Sequence, residues 1–263
     1  MASKWATTSS ERYQAVFSGA RRALVCYITA GHPDIAQSVA LLRELPNAGA
    51  DIIEIGVPFS DPMADGPVIQ ASSQRALDLG VTLDRVLEIV DRARTTAPVV
   101  LFSYLNPILA AAPGVLDRAA EAGVSGILIT DLPVGADPAR EAWLGAGPLA
   151  FVRLVAPTTP EDRMAEIARH GSGFVYLISR LGVTGARADL PPDLPDTVTR
   201  LRRATTLPIC VGFGVSRPEH ARAIGAIADG VVVGSALVEA ADTGGVEAAL
   251  TLVRGLRSGL DGA

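Results

Sequence analysis

Short runs of aliphatic and β-branched residues recur along the chain. They are ALVCYIT (23–29), DIIEIG (51–56), PVVLFSY (98–104), SGILIT (125–130), LAFVRLV (149–155), GFVYLIS (173–179), LPICVGF (207–213) and GVVVGS (230–235). Several are apolar at consecutive positions rather than at alternate ones. That pattern marks strands covered on both faces, as in a buried parallel sheet. The segments between them carry apolar residues at helical spacing. Residues 34–47 align Ile35, Val39, Leu42 and Leu45, and residues 83–95 align Leu83, Val86, Leu87 and Val90. Further helices are expected over 115–122, 138–144, 160–169, 193–203, 218–227 and 246–257. Several of these open on proline, which suits a first helical turn. Residues 11–20 read as a helix before the first strand, and 69–79 as another after the second.

Eight strands alternating with eight helices predict an α/β protein of the (β/α)8, or TIM, barrel type. The expected barrel has an extra N-terminal helix and extra helices after strands 2 and 8. A doubly wound open sheet is the competing architecture. Neither a composition break nor a Pro/Ser/Gly linker divides the chain, so residues 1–263 are expected to form one barrel domain. Two connections are long, 57–68 after strand 2 and 180–192 after strand 6. Long βα connections are usually functional, and in a barrel they lie on the C-terminal face, where active sites form.

Composition narrows the function. Net charge is −5, from 23 basic and 28 acidic residues, and no Lys/Arg stripe appears. Aromatic residues make up only 5%. Nucleic acid is therefore not expected as a partner. No apolar stretch approaches the ~18 residues of a membrane span. The start, MASKWATTSSERYQ, lacks the apolar core of a secretory signal. A cytoplasmic protein without membrane attachment is expected. Two cysteines, Cys26 and Cys210, are too few for a metal cage or a disulfide framework. His32, His170 and His220 show no metal-ligand spacing, so no metal site is expected. The sole lysine is Lys4, outside the barrel, which leaves no Schiff-base candidate.

Candidate chemistry gathers at the strand ends. Strand alternation puts Glu54 on the side of Ile52, opposite Ile53 and Ile55. If Ile52 faces the barrel axis, Glu54 faces the mouth, where lost hydration raises a carboxyl pKa. Asp65 follows in FSDPMADGP, a loop stiffened by Pro62 and Pro67. Two carboxyl groups there suit proton transfer at two ends of one substrate. The alternatives are a strand-end ion pair for Glu54 and an Asx turn for Asp65. Three glycine-bearing corners follow strands 6, 7 and 8: LGVTGA (181–186), GFGVS (212–216) and VGSA (233–236). Backbone N–H groups at such corners bind phosphate, and Ser235 adds a hydroxyl.

The segment EIGVPFSDPMADGPVIQ (54–70) closely resembles the tryptophan synthase α subunit family. Matches continue through ERYQAVF (11–17), YITAGHPD (27–34), YLNPIL (104–109), GILITDLPV (126–134), YLISRLGVTGAR (176–187) and DGVVVGSALV (229–238). The resemblance implies a TIM barrel that cleaves indole-3-glycerol phosphate to indole and glyceraldehyde 3-phosphate without a cofactor. It implies a β subunit as partner, in an α2β2 heterotetramer. The family's catalytic acids fall on Glu54 and Asp65. Its phosphate site falls on Gly185, Gly214, Gly234 and Ser235. Its indole pocket falls on Tyr27, Phe102, Leu128, Thr130, Val155, Tyr176 and Phe213, and its loop threonine on Thr184.

The chain departs from the familiar pattern at several places. Tyr27 and Phe102 stand where a phenylalanine and a leucine are usual, and Thr130 adds a hydroxyl. AAAPGV (110–115) replaces a tyrosine-glycine corner, and VGADPAR (134–140) lacks an acidic pair. Both segments lie on the rim expected to face a β subunit. A stand-alone lyase that releases free indole is the alternative these rim changes keep open.

Overall fold

A computed structural model describes residues 9–178, 191–212 and 214–262 of the chain. The barrel expectation holds. Eight parallel strands close in sequence order, β1 (Ala23–Thr29), β2 (Ile52–Gly56), β3 (Val99–Ser103), β4 (Val124–Ile129), β5 (Ala150–Val155), β6 (Val175–Ile178), β7 (Ile209–Gly212) and β8 (Gly230–Val233), with β8 pairing back on β1.

The consecutive apolar positions separate into two cores. One side of each strand faces the helices, where Ile53, Ile55, Leu101, Ile127, Ile129 and Val211 pack. The other faces the barrel axis, where Val25, Ile52, Val100, Leu128, Val152, Phe174, Cys210 and Val232 meet. A strand buried on both faces has no polar side to show, so its sequence cannot alternate. Tyr13 of the N-terminal helix α1 (Ser9–Phe17) joins the axial core from below. Its hydroxyl stands where Gly126 of β4 lacks a side chain; a Cβ there would overlap it.

The outer helices begin where polar caps allow. Asp34 accepts from the Gln37 N–H and opens α2 (Ile35–Ala48). Thr82 accepts from the Arg85 N–H and opens α4 (Leu83–Ala93). The expected extra helix after strand 2 is α3 (Pro67–Asp78), with Pro67 in its first turn. Next come α6 (Val115–Ala122), α7 (Pro138–Gly145), α8 (Glu161–Arg169), α9 (Leu194–Ala204) and α10 (Pro218–Gly225).

One feature goes beyond the sequence reading. A short helix, α5 (Leu105–Ala110), follows β3 directly, and Asp131 accepts from its Leu105 N–H at 2.7 Å. Its six residues fall short of two turns, too few to show a hydrophobic period. The expected extra helix after strand 8 is present: after β8 the helical segment α11 runs Ser235–Asp261. Gly245, at φ 65° and ψ −159°, breaks it into the extra helix and the final barrel helix. No described helix is long and apolar enough to cross a membrane.

Candidate active site

Glu54 lies on β2 two residues above Ile52 and beside Tyr27 of β1 in the strand register. Inward alternation carries it to the upper mouth of the barrel. Its side chain is 1% exposed, and Oε1 has no hydrogen-bond partner among the described residues. No salt bridge to a described residue compensates it, so the strand-end ion pair is not formed there. Burial alone pushes its carboxyl up to about 8.

Asp65 stands on the connection leading to α3. Its backbone N–H closes a turn on the Pro62 carbonyl at 3.0 Å. The side chain instead takes a hydrogen bond from the Tyr104 hydroxyl, 3.1 Å to Oδ2. That hydroxyl also accepts the Ala64 N–H at 2.9 Å. Tyr104 therefore holds the loop and its carboxylate together. Burial pushes the Asp65 carboxyl up to about 6, against the downward pull of the Tyr104 donor. At neutral pH these two environments leave Glu54 mostly protonated and Asp65 mostly ionised.

Both acids line one cavity at the mouth of the barrel, with Tyr27, Val68, Ile69, Phe102 and Tyr176. Tyr27 meets Phe102 edge to face, with ring centroids 5.3 Å apart. Glycines on the neighbouring strands make room for the tyrosines. A Cβ on Gly56 of β2 would overlap the Tyr27 hydroxyl, and one on Gly212 of β7 would overlap the Tyr176 hydroxyl. The same cavity is also lined by Gly214, Val215, Ser216, Gly234, Ser235 and Ala236. Gly214 has φ 80°, and Gly234 is the N-cap of α11, with no side chain capping the helix. Uncapped first-turn N–H groups attract an anion.

The other expected residues divide. Leu128 lies in the axial core beneath the cavity, and does not line it. Thr130 sits on the same inward line at the top of β4, with its hydroxyl 3.4 Å from the Ser103 carbonyl. It lines a different cavity, with Leu154, rather than this one. Val155 points outward into the core beneath the helices, whereas Leu154 packs on the axial side in register with Tyr176. Thr184, Gly185 and Phe213 lie outside the described residues. Among the described residues, no group of three or more His, Cys, Asp or Glu is placed to hold a metal ion. Cys26 and Cys210 are free and buried.

Sequence reasoning missed Tyr104, Val68, Ile69 and Glu239 among the side chains that hold or line the site. Tyr104 carried a signal: it lies two residues beyond Phe102, on the inward line of strand 3. Leu154 carried the same signal beyond Val152.

The family model for the tryptophan synthase alpha chain matches residues 13–254. The chain belongs to the tryptophan synthase alpha chain family. It is 48% identical over 233 residues to the tryptophan synthase alpha chain of Citrifermentans bemidjiense, covering 88% of this chain and 87% of that one. It is 46% identical over 227 residues to that of Desulfatibacillum aliphaticivorans, covering 85% and 86%. Among solved structures, it is similar to a chain of Mycobacterium tuberculosis tryptophan synthase, with TM-score 0.87, 36% identity and coverage of 95% and 98%. It is also similar to tryptophan synthase subunit alpha from Legionella pneumophila, with TM-score 0.86, 33% identity and coverage of 98% and 100%. Three of these names are those of an alpha chain or subunit, and the α-subunit role stands over the stand-alone lyase.

Proposed function

We propose that the chain is the lyase subunit that cleaves indole-3-glycerol phosphate to indole and glyceraldehyde 3-phosphate. The observation that carries this reading is one cavity with two carboxyl groups, aromatic walls and an uncapped helix start. The bond to be broken joins indole carbon 3 to the glyceryl carbon that bears a hydroxyl. Carbon 3 must gain a proton before indole can leave as a neutral molecule. Glu54, mostly protonated at neutral pH, supplies it. Asp65, held by Tyr104, accepts the hydrogen of the indole N–H as positive charge develops on the ring. The Glu54 carboxylate then takes the glyceryl hydroxyl proton as the C–C bond breaks and the C=O bond forms. One proton is delivered and one recovered, so the site returns to its starting state.

Tyr27, Phe102 and Tyr176 hold the ring. Gly214, Gly234 and Ser235 hold the phosphate, with Gly185, Thr184 and Phe213 assigned to the site by the resemblance. The reading extends to one barrel domain, to a β subunit as the partner that takes up indole in an α2β2 assembly, and to a cytoplasmic setting. It requires no cofactor.

The test is an indole-release assay on indole-3-glycerol phosphate, with and without a β subunit. Release by the wild-type chain and its loss in Gly234→Asp is the expected result. A Gly234→Asp side chain sets negative charge against the phosphate. Wild-type affinity for a phosphorylated ligand in that variant places the phosphate elsewhere.

A further inference from the structure

One lining residue of the cavity is charged and has no part in the chemistry above. Glu239 lies on α11 four residues after Ser235, and therefore on the same helix face. It lines the same cavity as Gly214, Gly234 and Ser235. Its neighbour one turn on, Asp242, is engaged by an ion pair with Arg75 of α3. Glu239 forms no salt bridge among the described residues; the Thr243 hydroxyl donates to its backbone carbonyl at 2.9 Å. The helix that would attract a phosphate at its start thus carries, one turn on, an exposed acid with no salt bridge among the described residues.

We infer that Glu239 is a specificity-determining residue that limits how much negative charge this end of the site accepts. The inference rests on the phosphate reading of Gly214, Gly234 and Ser235. A carboxylate beside the anion repels it in proportion to its charge. A single phosphate monoester is tolerated, because backbone N–H groups and the helix dipole outweigh one nearby acid. A ligand with a second anionic group at that end meets the same repulsion again. The site is thereby restricted to monophosphates. The same repulsion loosens the phosphorylated product and speeds its departure.

The experiment compares the wild-type chain with Glu239→Gln and Glu239→Lys, using glycerol 3-phosphate, pyrophosphate and indole as competing ligands in the cleavage assay. Glu239→Gln is expected to tighten glycerol 3-phosphate about 3- to 10-fold and pyrophosphate by a larger factor, following Coulomb scaling with ligand charge. Glu239→Lys is expected to tighten both further. Indole, which is neutral, is expected to bind as before. KM for indole-3-glycerol phosphate is expected to fall without a rise in kcat, since the gain is in holding the anion and not in the chemistry. Unchanged or weaker binding of both anions in Glu239→Gln overturns the inference, and so does an equal gain for indole. Failure of the phosphate reading looks different: glycerol 3-phosphate then fails to compete in the wild-type chain at all. Circular dichroism of each variant reports whether α11 is intact.

Discussion

The Tyr104 hydroxyl donates to Asp65 Oδ2 at 3.1 Å and draws the adjacent Ala64 N–H onto itself at 2.9 Å. One side chain at the end of β3 thus fixes both the position and the charge of a carboxylate that belongs to a different connection. Removing the donor leaves burial to act alone on Asp65. Tyr104→Phe is therefore expected to raise the Asp65 pKa and to lower kcat/KM several-fold. The shift is read from the low-pH limb of the rate profile, which should move to higher pH. An unmoved limb, with the rate reduced, would mean that Tyr104 acts only by packing.

The pH profile of the wild-type chain follows from the two carboxyl groups. Activity requires Asp65 ionised and Glu54 protonated. As pH rises through about 6 Asp65 loses its proton and kcat/KM rises. Through about 8 Glu54 loses its proton and kcat/KM falls. A bell between these values is expected for indole release, and Asp65→Asn should erase its low-pH limb from the residual activity.

Glu54→Gln is expected to reduce cleavage about 10²- to 10⁴-fold while the fold persists. It should also stabilise the protein at alkaline pH. Burial raises the Glu54 pKa from 4.5 to about 8, so the folded state holds a proton that the unfolded chain releases. That contribution is fully favourable below pH 4.5 and is lost as pH rises through 8. By pH 8 the cost of the buried acid is on the order of a few kcal/mol. Glutamine has no such dependence. Thermal melts at pH 5 and pH 8 should show the variant gaining on the wild type only at the higher pH.

Gly56→Ala tests the packing of the indole wall. The new Cβ would overlap the Tyr27 hydroxyl, so the ring must leave its place. Overpacking of this kind costs about 1–3 kcal/mol. A lowered melting temperature together with weaker indole binding is expected. Adding Tyr27→Leu should recover part of the melting temperature but not the binding, because it removes the overlapping ring atoms and keeps the site apolar.

Glu141→Ala tests the rim. Glu141 Oε2 accepts from Arg153 Nη2 at 2.6 Å, and Oε1 accepts the Gly135 N–H at 2.7 Å. Both side chains are nearly fully buried. Removing the acid strands a guanidinium in the core, at a cost of about 3–5 kcal/mol. Denaturant unfolding measures it directly. Arg153→Met in the same chain should recover part of the loss, because no charge is then left unpaired.

Much of this architecture was legible in the sequence, because each strand announces itself by consecutive apolar residues. Strand β1 falls on 23–29 as read, and α6 on 115–122. Glu54 was legible through the two-residue period that ties it to Ile52. The same period separates Leu154 from Val155: the inward line of β5 runs through Val152 and Leu154, and Val155 faces the helices. The Asp65 partnership was not legible, because Tyr104 lies 39 residues away and reaches it only when the barrel closes. Helix α5 escaped because a helix of one turn and a half leaves no periodic trace.

The ring-over-glycine pairs have a consequence for how the pocket can change. Tyr27 leans on Gly56, and Tyr176 on Gly212. Each wall element is thus encoded at two positions on neighbouring strands, and the two are not equivalent as starting points. A smaller residue in place of either tyrosine opens room at once and leaves a glycine that tolerates it. A larger residue in place of either glycine is blocked until the tyrosine has gone. Single mutational steps therefore lead toward a wider pocket far more readily than toward a reshaped one, and the order of substitutions, more than their number, decides which ligands the barrel can come to accept.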